Sequence, residues 1–124
     1  APWKEKVEII NRHVSDTNDK IHITTIDNLF ADREIHFMKM DVEGAEEHVI
    51  HGAERFLSRN RALNIAVCTY HKQEDEKKLS ALLTQKGFET SVSDGYMLYS
   101  LDQEQRPPYF RRGLIRARKL PAGV

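Results

Sequence analysis

The segment Leu63 to Tyr70, LNIAVCTY, is apolar at positions of both parities, so an extended chain there presents apolar side chains on both faces. Such a strand has to be covered on both sides, as a central strand of a parallel sheet is by its crossover helices. Residues 35–40, IHFMKM, read as a second strand. A helix from about Gly44 to Ser58 follows it, because Ala45, Val49, Ala53, Phe56 and Leu57 recur at spacings of three and four. QEDEKKLSALLTQKG, 73–87, reads as another helix, with Leu79, Leu82 and Leu83 inward and Gly87 as its C-cap.

The flanks extend the alternation. VEIINRHV, 7–14, carries enough β-branched residues for a strand, and SDTND is a turn. A short extended piece in IHITTIDNLF leads to a brief helix over Asp27 to Phe30, capped by Thr25. FETSVSDGYMLYSL and GLIRARK close the chain as antiparallel strands, with a bend at Asp94-Gly95 and the loop RPPY, 106–109, between them. Alternation of this kind predicts one α/β domain over residues 1–124, a mostly parallel sheet with an antiparallel C-terminal strand.

Composition excludes more than it selects. Lys plus Arg and Asp plus Glu are 19 each, so no global charge points to nucleic acid or an anionic membrane. Arg106, Arg111, Arg112, Arg116, Arg118 and Lys119 make the C-terminal end basic. They read as an edge strand guarded against pairing rather than a phosphate or nucleic-acid patch, since interleaved aromatics are few. The one cysteine, Cys68, lies inside an apolar strand and reads as a buried inert thiol in a reducing compartment. APWKEKVEII lacks a signal-peptide h-region, and no segment has the ~20 apolar residues of a membrane span, so a cytoplasmic protein is expected.

Ligands of open parallel sheets bind beyond the carboxyl ends of the strands. Asp41 and Glu43 follow one such end, and Thr69, Tyr70 and His71 another. Strand geometry puts Lys39 and Asp41 on one side and Met38 and Met40 on the other. Lys39 would then meet a carboxylate or a ligand's negative group. The acidic residues would serve equally as an ion pair that pins the strand end to the helix start, where the dipole favours them. Position at a central strand end tilts the choice towards function. His71 is either an ordinary loop histidine or a general base for the crevice. His48 and His51 have ligand-compatible spacing but no companion motif, and Glu47 with His51 reads as a surface pair. No metal site is assigned, although an ion between Asp41 and the His71 loop stays open.

TTIDNLF, FMKMDVEGAEEHVIHGAERFL and LNIAVCTYHKQED, in that order, resemble the FkbM family of S-adenosylmethionine-dependent methyltransferases. Lys39, Asp41, Glu43, Gly44 and Glu46 match its K-[IM]-D-[VI]-E-G-[AY]-E block. The resemblance implies a Rossmann-like class I methyltransferase fold. It also implies methyl transfer to a hydroxyl of a small molecule such as a sugar or polyketide. Asp41, His71 and Lys39 would be catalytic, through proton removal or substrate orientation. Glu43 and Glu46 would hold the active-site loop or the cofactor, and Ser15 and Asp16 would lie on its adenine side. One departure is large: the six glycines are isolated, so the glycine-rich cofactor loop has no counterpart. The chain therefore resembles the C-terminal part of a longer methyltransferase domain, with little cofactor affinity by itself. The alternative is a degenerate domain of that fold that binds a ligand or partner without turnover. Two strands would be missing between 7–14 and 35–40. Residues 7–14 are then expected to pair elsewhere, to swap into a partner chain as a homodimer covers the open edge, or to order poorly. Pairing with 35–40 is the simplest repair.

Overall fold

A computed structural model of the chain describes residues 2–99 and 104–120. After a 3-10 turn over Pro2–Lys6 come β1 (His13–Val14), β2 (Ile23–Thr24), α1 (Ile26–Leu29), β3 (Phe37–Met40), α2 (Glu46–His51), α3 (Glu54–Arg59), β4 (Asn64–Cys68) and α4 (Asp75–Gln85). The order then continues through β5 (Phe88–Val92), β6 (Tyr96–Leu98), β7 (Phe110–Arg112) and β8 (Leu114–Lys119).

The central sheet has four strands in the order β3-β4-β8-β5. β3 and β4 are parallel, and β8 runs antiparallel to both β4 and β5. Three strands therefore point one way and the C-terminal strand is reversed between two of them. The sheet is mixed rather than mostly parallel in its pairings, because the last strand inserts beside β4 instead of extending the edge. Two-stranded pairs β1-β2 and β6-β7 flank it.

Register decides which face is buried. Met38, Ile65, Ala117 and Thr90 stand level across the sheet, and so do Met40, Val67, Ile115 and Val92. Together with Val49, Ile50, Ala53, Phe56, Leu57, Leu79, Leu83 and Phe88 from the flanking elements, most of these make the core. On the opposite face Phe37 aligns with Asn64, Arg118 and Glu89, and Lys39 with Ala66, Arg116 and Ser91. This second face is largely open, and Phe37 is 63% exposed on it. The apolar content of β4 thus serves one face, with Cys68 buried at the strand end. Burial pushes that thiol's pKa up, consistent with an inert side chain.

Two expected elements are shorter or broken. The strand at 7–14 shrinks to His13–Val14, which pairs in parallel with Ile23–Thr24 and not with 35–40. Val7, Ile9 and Ile10 are exposed: no sheet neighbour covers them, and an apolar strand gains nothing from extending into water. The helix at 44–58 is two helices, α2 and α3, parted at Gly52-Ala53. The backbone of Ser15 and Asp16 crosses there so closely that a Cβ on Gly52 would lie 2.1 Å from the Ser15 carbonyl oxygen. The break also frees the Gly52 carbonyl to accept from the Asp27 N–H at 3.0 Å.

Asp27 then does a second job. Its carboxylate accepts from the Arg55 N–H at 3.1 Å and the Phe56 N–H at 2.7 Å, capping α3 from a distant segment. Thr25 caps α1 through the Asn28 N–H, as expected. Gly87, at φ +86°, ends α4 in the left-handed conformation. No helix among the described residues is long and apolar enough to cross a membrane. Replacing Asp27 with Ala strips both donors of α3, so Asp27→Ala should lower unfolding free energy by about 1–2 kcal/mol. Urea denaturation followed by far-UV circular dichroism measures this, and an unchanged midpoint would contradict the cap.

Candidate functional site

The strand ends of β3 and β4 lie side by side, and the two loops that leave them build one cluster. After β3 the chain must turn sharply from strand to helix. Glu43 takes φ +53° and Gly44 φ +92°, consecutive residues in the left-handed region that L side chains avoid. A Cβ on Gly44 would meet the Lys72 side chain at 3.3 Å and His71 Cβ at 3.8 Å, so glycine lets the two loops close on each other. The Ala45 N–H donates to the Val42 carbonyl at 3.1 Å, and the Val42 N–H donates to Glu46 Oε1 at 3.1 Å. Glu46 thus reaches back from the first turn of α2 to tie the loop it follows.

Glu46 is buried, with its side chain 1% exposed, and faces the His71 side chain, 4% exposed. His71 Nδ1 lies 3.0 Å from Glu46 Oε1, out of line for a hydrogen bond. On the other side of the ring, Nε2 lies 3.4 Å from Asp41 Oδ1 and 3.5 Å from Glu43 Oε1, again without a hydrogen bond. A buried imidazole therefore stands among three carboxylates, its Nε2 on the side of Asp41 and the exposed Glu43. Asp75 closes the cluster from α4 and accepts from the Lys72 N–H at 3.0 Å. Burial pushes its carboxyl pKa up.

Aromatic rings line the cluster. Tyr70 stacks on His71 with centroids 4.2 Å apart, and Tyr99 meets the His71 ring edge-on at 5.9 Å. The Tyr70 hydroxyl donates to Asp41 Oδ1 at 2.9 Å, which holds the phenol proton and raises its pKa. Arg111, buried, donates to the Tyr70 carbonyl at 2.6 Å and lies over the Tyr99 ring. Thr69 anchors the strand end by donating its hydroxyl to the Arg112 carbonyl at 2.7 Å. Tyr99 and Arg111 are contributions that sequence reasoning missed. They come from segments about thirty and forty residues beyond His71, and only a buried arginine in a basic stretch could have hinted at them.

Of the residues singled out from sequence, Asp41, Glu43, Glu46 and His71 meet here. Lys39 stands on the open face of β3 and forms no ion pair or hydrogen bond among the described residues, while Asp41 follows the strand end and belongs to the loop cluster. Ser15 and Asp16 sit elsewhere, against α2. His48 Nδ1 donates to Asp16 Oδ2 at 3.1 Å and holds that carboxyl below the usual range. The pair Glu47 and His51 is present at 3.9 Å. As a test of S-adenosylmethionine binding, these residues do not make a whole cofactor pocket. Asp16 is engaged by His48, the Ser15 carbonyl is packed on Gly52, and Glu46 is buried on Val42. Glu46→Ala should cost about 3 kcal/mol of stability by leaving the buried histidine and the Val42 N–H without their carboxylate. Glu46→Gln, which keeps Oε1, should cost less, and equal denaturation midpoints for the two variants would contradict the role given to Glu46.

A family model described as the methyltransferase FkbM domain matches residues 6–90, more than half of the chain. The crystal structure of methyltransferase FkbM from Methylobacillus flagellatus KT superposes with a TM-score of 0.66 at 18% identity, over 93% of this chain and 29% of that one. At that identity the likeness speaks for the fold, and this chain spans under a third of that protein's length. No curated protein matches the sequence. With strand, sharp acidic turn, helix and histidine loop all inside the matched residues, the chain belongs to the FkbM methyltransferase domain family.

Proposed function

We propose that this chain is the acceptor-side part of an S-adenosylmethionine-dependent O-methyltransferase with a Rossmann-like class I fold. The observation that carries the reading is the buried His71, ringed by Asp41, Glu43 and Glu46 at the carboxyl ends of two parallel strands. The reversed C-terminal strand, β8, supports the class I assignment. S-adenosylmethionine supplies an electrophilic methyl group, and the acceptor must present an oxygen that can shed its proton. Asp41 and His71 hold that hydroxyl and ease the loss of its proton, while Tyr70 and Tyr99 offer flat faces against which a ring of the acceptor can lie. A small hydroxylated molecule such as a sugar or polyketide suits an opening lined by aromatic rings and carboxylates.

The open sheet face and the exposed Val7, Ile9, Ile21 and Phe37 support the reading as part of a larger domain, since apolar surface of this kind is normally covered. The cofactor-binding half, with a glycine-rich turn, would supply that cover and the affinity this chain lacks. Calorimetric titration of S-adenosylhomocysteine tests this, using the chain alone and the chain fused behind the glycine-rich half of an FkbM domain. Binding by the fusion alone is expected. In that fusion, Asp41→Asn and His71→Asn should keep cofactor affinity and lose about a hundredfold or more in methyl transfer to a hydroxyl acceptor. Absence of binding in both forms would overturn the methyltransferase reading in favour of a degenerate, non-catalytic domain.

A further inference from the structure

We propose that Asp41, Glu43 and His71 form a divalent-cation site, for an ion of the manganese or zinc type. The inference deepens the preceding reading by naming what activates the acceptor oxygen, and it depends on that reading only for this role. One carboxylate oxygen from Asp41, one from Glu43 and an imidazole nitrogen of His71 all lie within 4.8 Å of one another. The side chain of His71 is 4% exposed, and its Nε2 has no hydrogen-bond partner among the described residues. A buried polar atom without a partner is costly, and it needs a reason.

The distances fit an ion better than they fit hydrogen bonds. Nε2 is 3.4 Å from Asp41 Oδ1 and 3.5 Å from Glu43 Oε1. Ligands bonded at about 2.1 Å around a tetrahedral ion are spaced about 3.4 Å apart. The surroundings of the donors also fit. Metal-binding histidines usually donate their other ring N–H to a carboxylate, and Glu46 Oε1 lies 3.0 Å from His71 Nδ1, where a small rotation of the ring would complete that bond. Asp41 is held in turn by the Tyr70 hydroxyl at 2.9 Å. Two carboxylates and one imidazole favour manganese or zinc over calcium, which prefers an all-oxygen shell. Glu43, 80% exposed, leaves the cluster reachable from solvent, and three protein ligands leave one position on a four-coordinate zinc, or three on a six-coordinate manganese, for an acceptor oxygen and water. The second grouping, Glu46, His71 and Asp75, is buried throughout and has no such access.

Two titrations of the 124-residue chain test the site. Mn²⁺ binding is followed by electron paramagnetic resonance, and Zn²⁺ binding by nitrogen-15 chemical shifts of the His71 ring. One ion per chain is expected, with the Nε2 resonance moving on Zn²⁺ addition. Glu43→Gln, at an exposed position that leaves folding intact, should weaken binding about tenfold or more, and Asp41→Asn should do the same. Three results would overturn the site: no saturable binding, binding equally strong in both variants, or a zinc-insensitive His71 ring that carries protons on both nitrogens. The last is the signature of an imidazolium that the carboxylates neutralise without an ion. Methyl transfer by the fused domain is a separate readout. Ion binding without transfer leaves the site standing and removes the enzymatic reading, while transfer undiminished by a chelator, with no ion bound, overturns the site alone.

Discussion

A carboxylate and an imidazole facing each other in the core, Glu46 and His71, hold the functional end of this chain together. Neither group belongs in an apolar interior by itself, because burial of a charge or an unpartnered polar atom costs several kcal/mol. Their juxtaposition joins the loop after β3 to the loop after β4, and Glu46 fastens its own loop through the Val42 N–H. The strained pair Glu43 and Gly44 can persist only because this packing over-determines the turn. The same turn brings Asp41 and Glu43 to the Nε2 side of His71. Loop packing and site geometry thus share the same residues, with the Glu46–Val42 and Tyr70–Asp41 hydrogen bonds holding the two loops.

Asp27 plays the equivalent part on the far side of α2. Its N–H and carboxylate together join α1 to the junction of α2 and α3. The TTIDNLF segment is therefore structural in this chain, although it was one of the motifs that pointed to the family. The block around Asp41 leads into the start of α2, and the segment around Asp27 meets the junction of α2 and α3.

Much of the architecture was legible in the residues. Alternation in FMKM put Phe37 and Lys39 on one face, and Met40 is buried on the other. The helix at 73–87, the Thr25 cap, the Gly87 end and the bend at Asp94-Gly95 all follow from local pattern, because caps and turns are made by neighbours in sequence. Residues 7–14 misled because β-branched content reports how well a segment would fit a sheet, not whether a sheet is there to receive it. Gly52 broke the expected helix for a reason no helical periodicity contains: a distant carbonyl, from Ser15, lies against it.

For this chain, the amino-acid order determined the strands at 37–40 and 64–68, the helix at 75–85 and which polar residues follow the strand ends. It also carried the family motif from Lys39 to Glu46. Periodicity, capping chemistry and the sharp acidic turn act over a few residues, so they can be read locally. Tertiary structure alone decided that β8 inserts between β4 and β5, that one sheet face stays open, and that Tyr99 and Arg111 join the cluster. It also decided that His71 meets three carboxylates rather than one. Those outcomes depend on contacts between residues some thirty or more positions apart, and their energies exist only once the chain has closed around them.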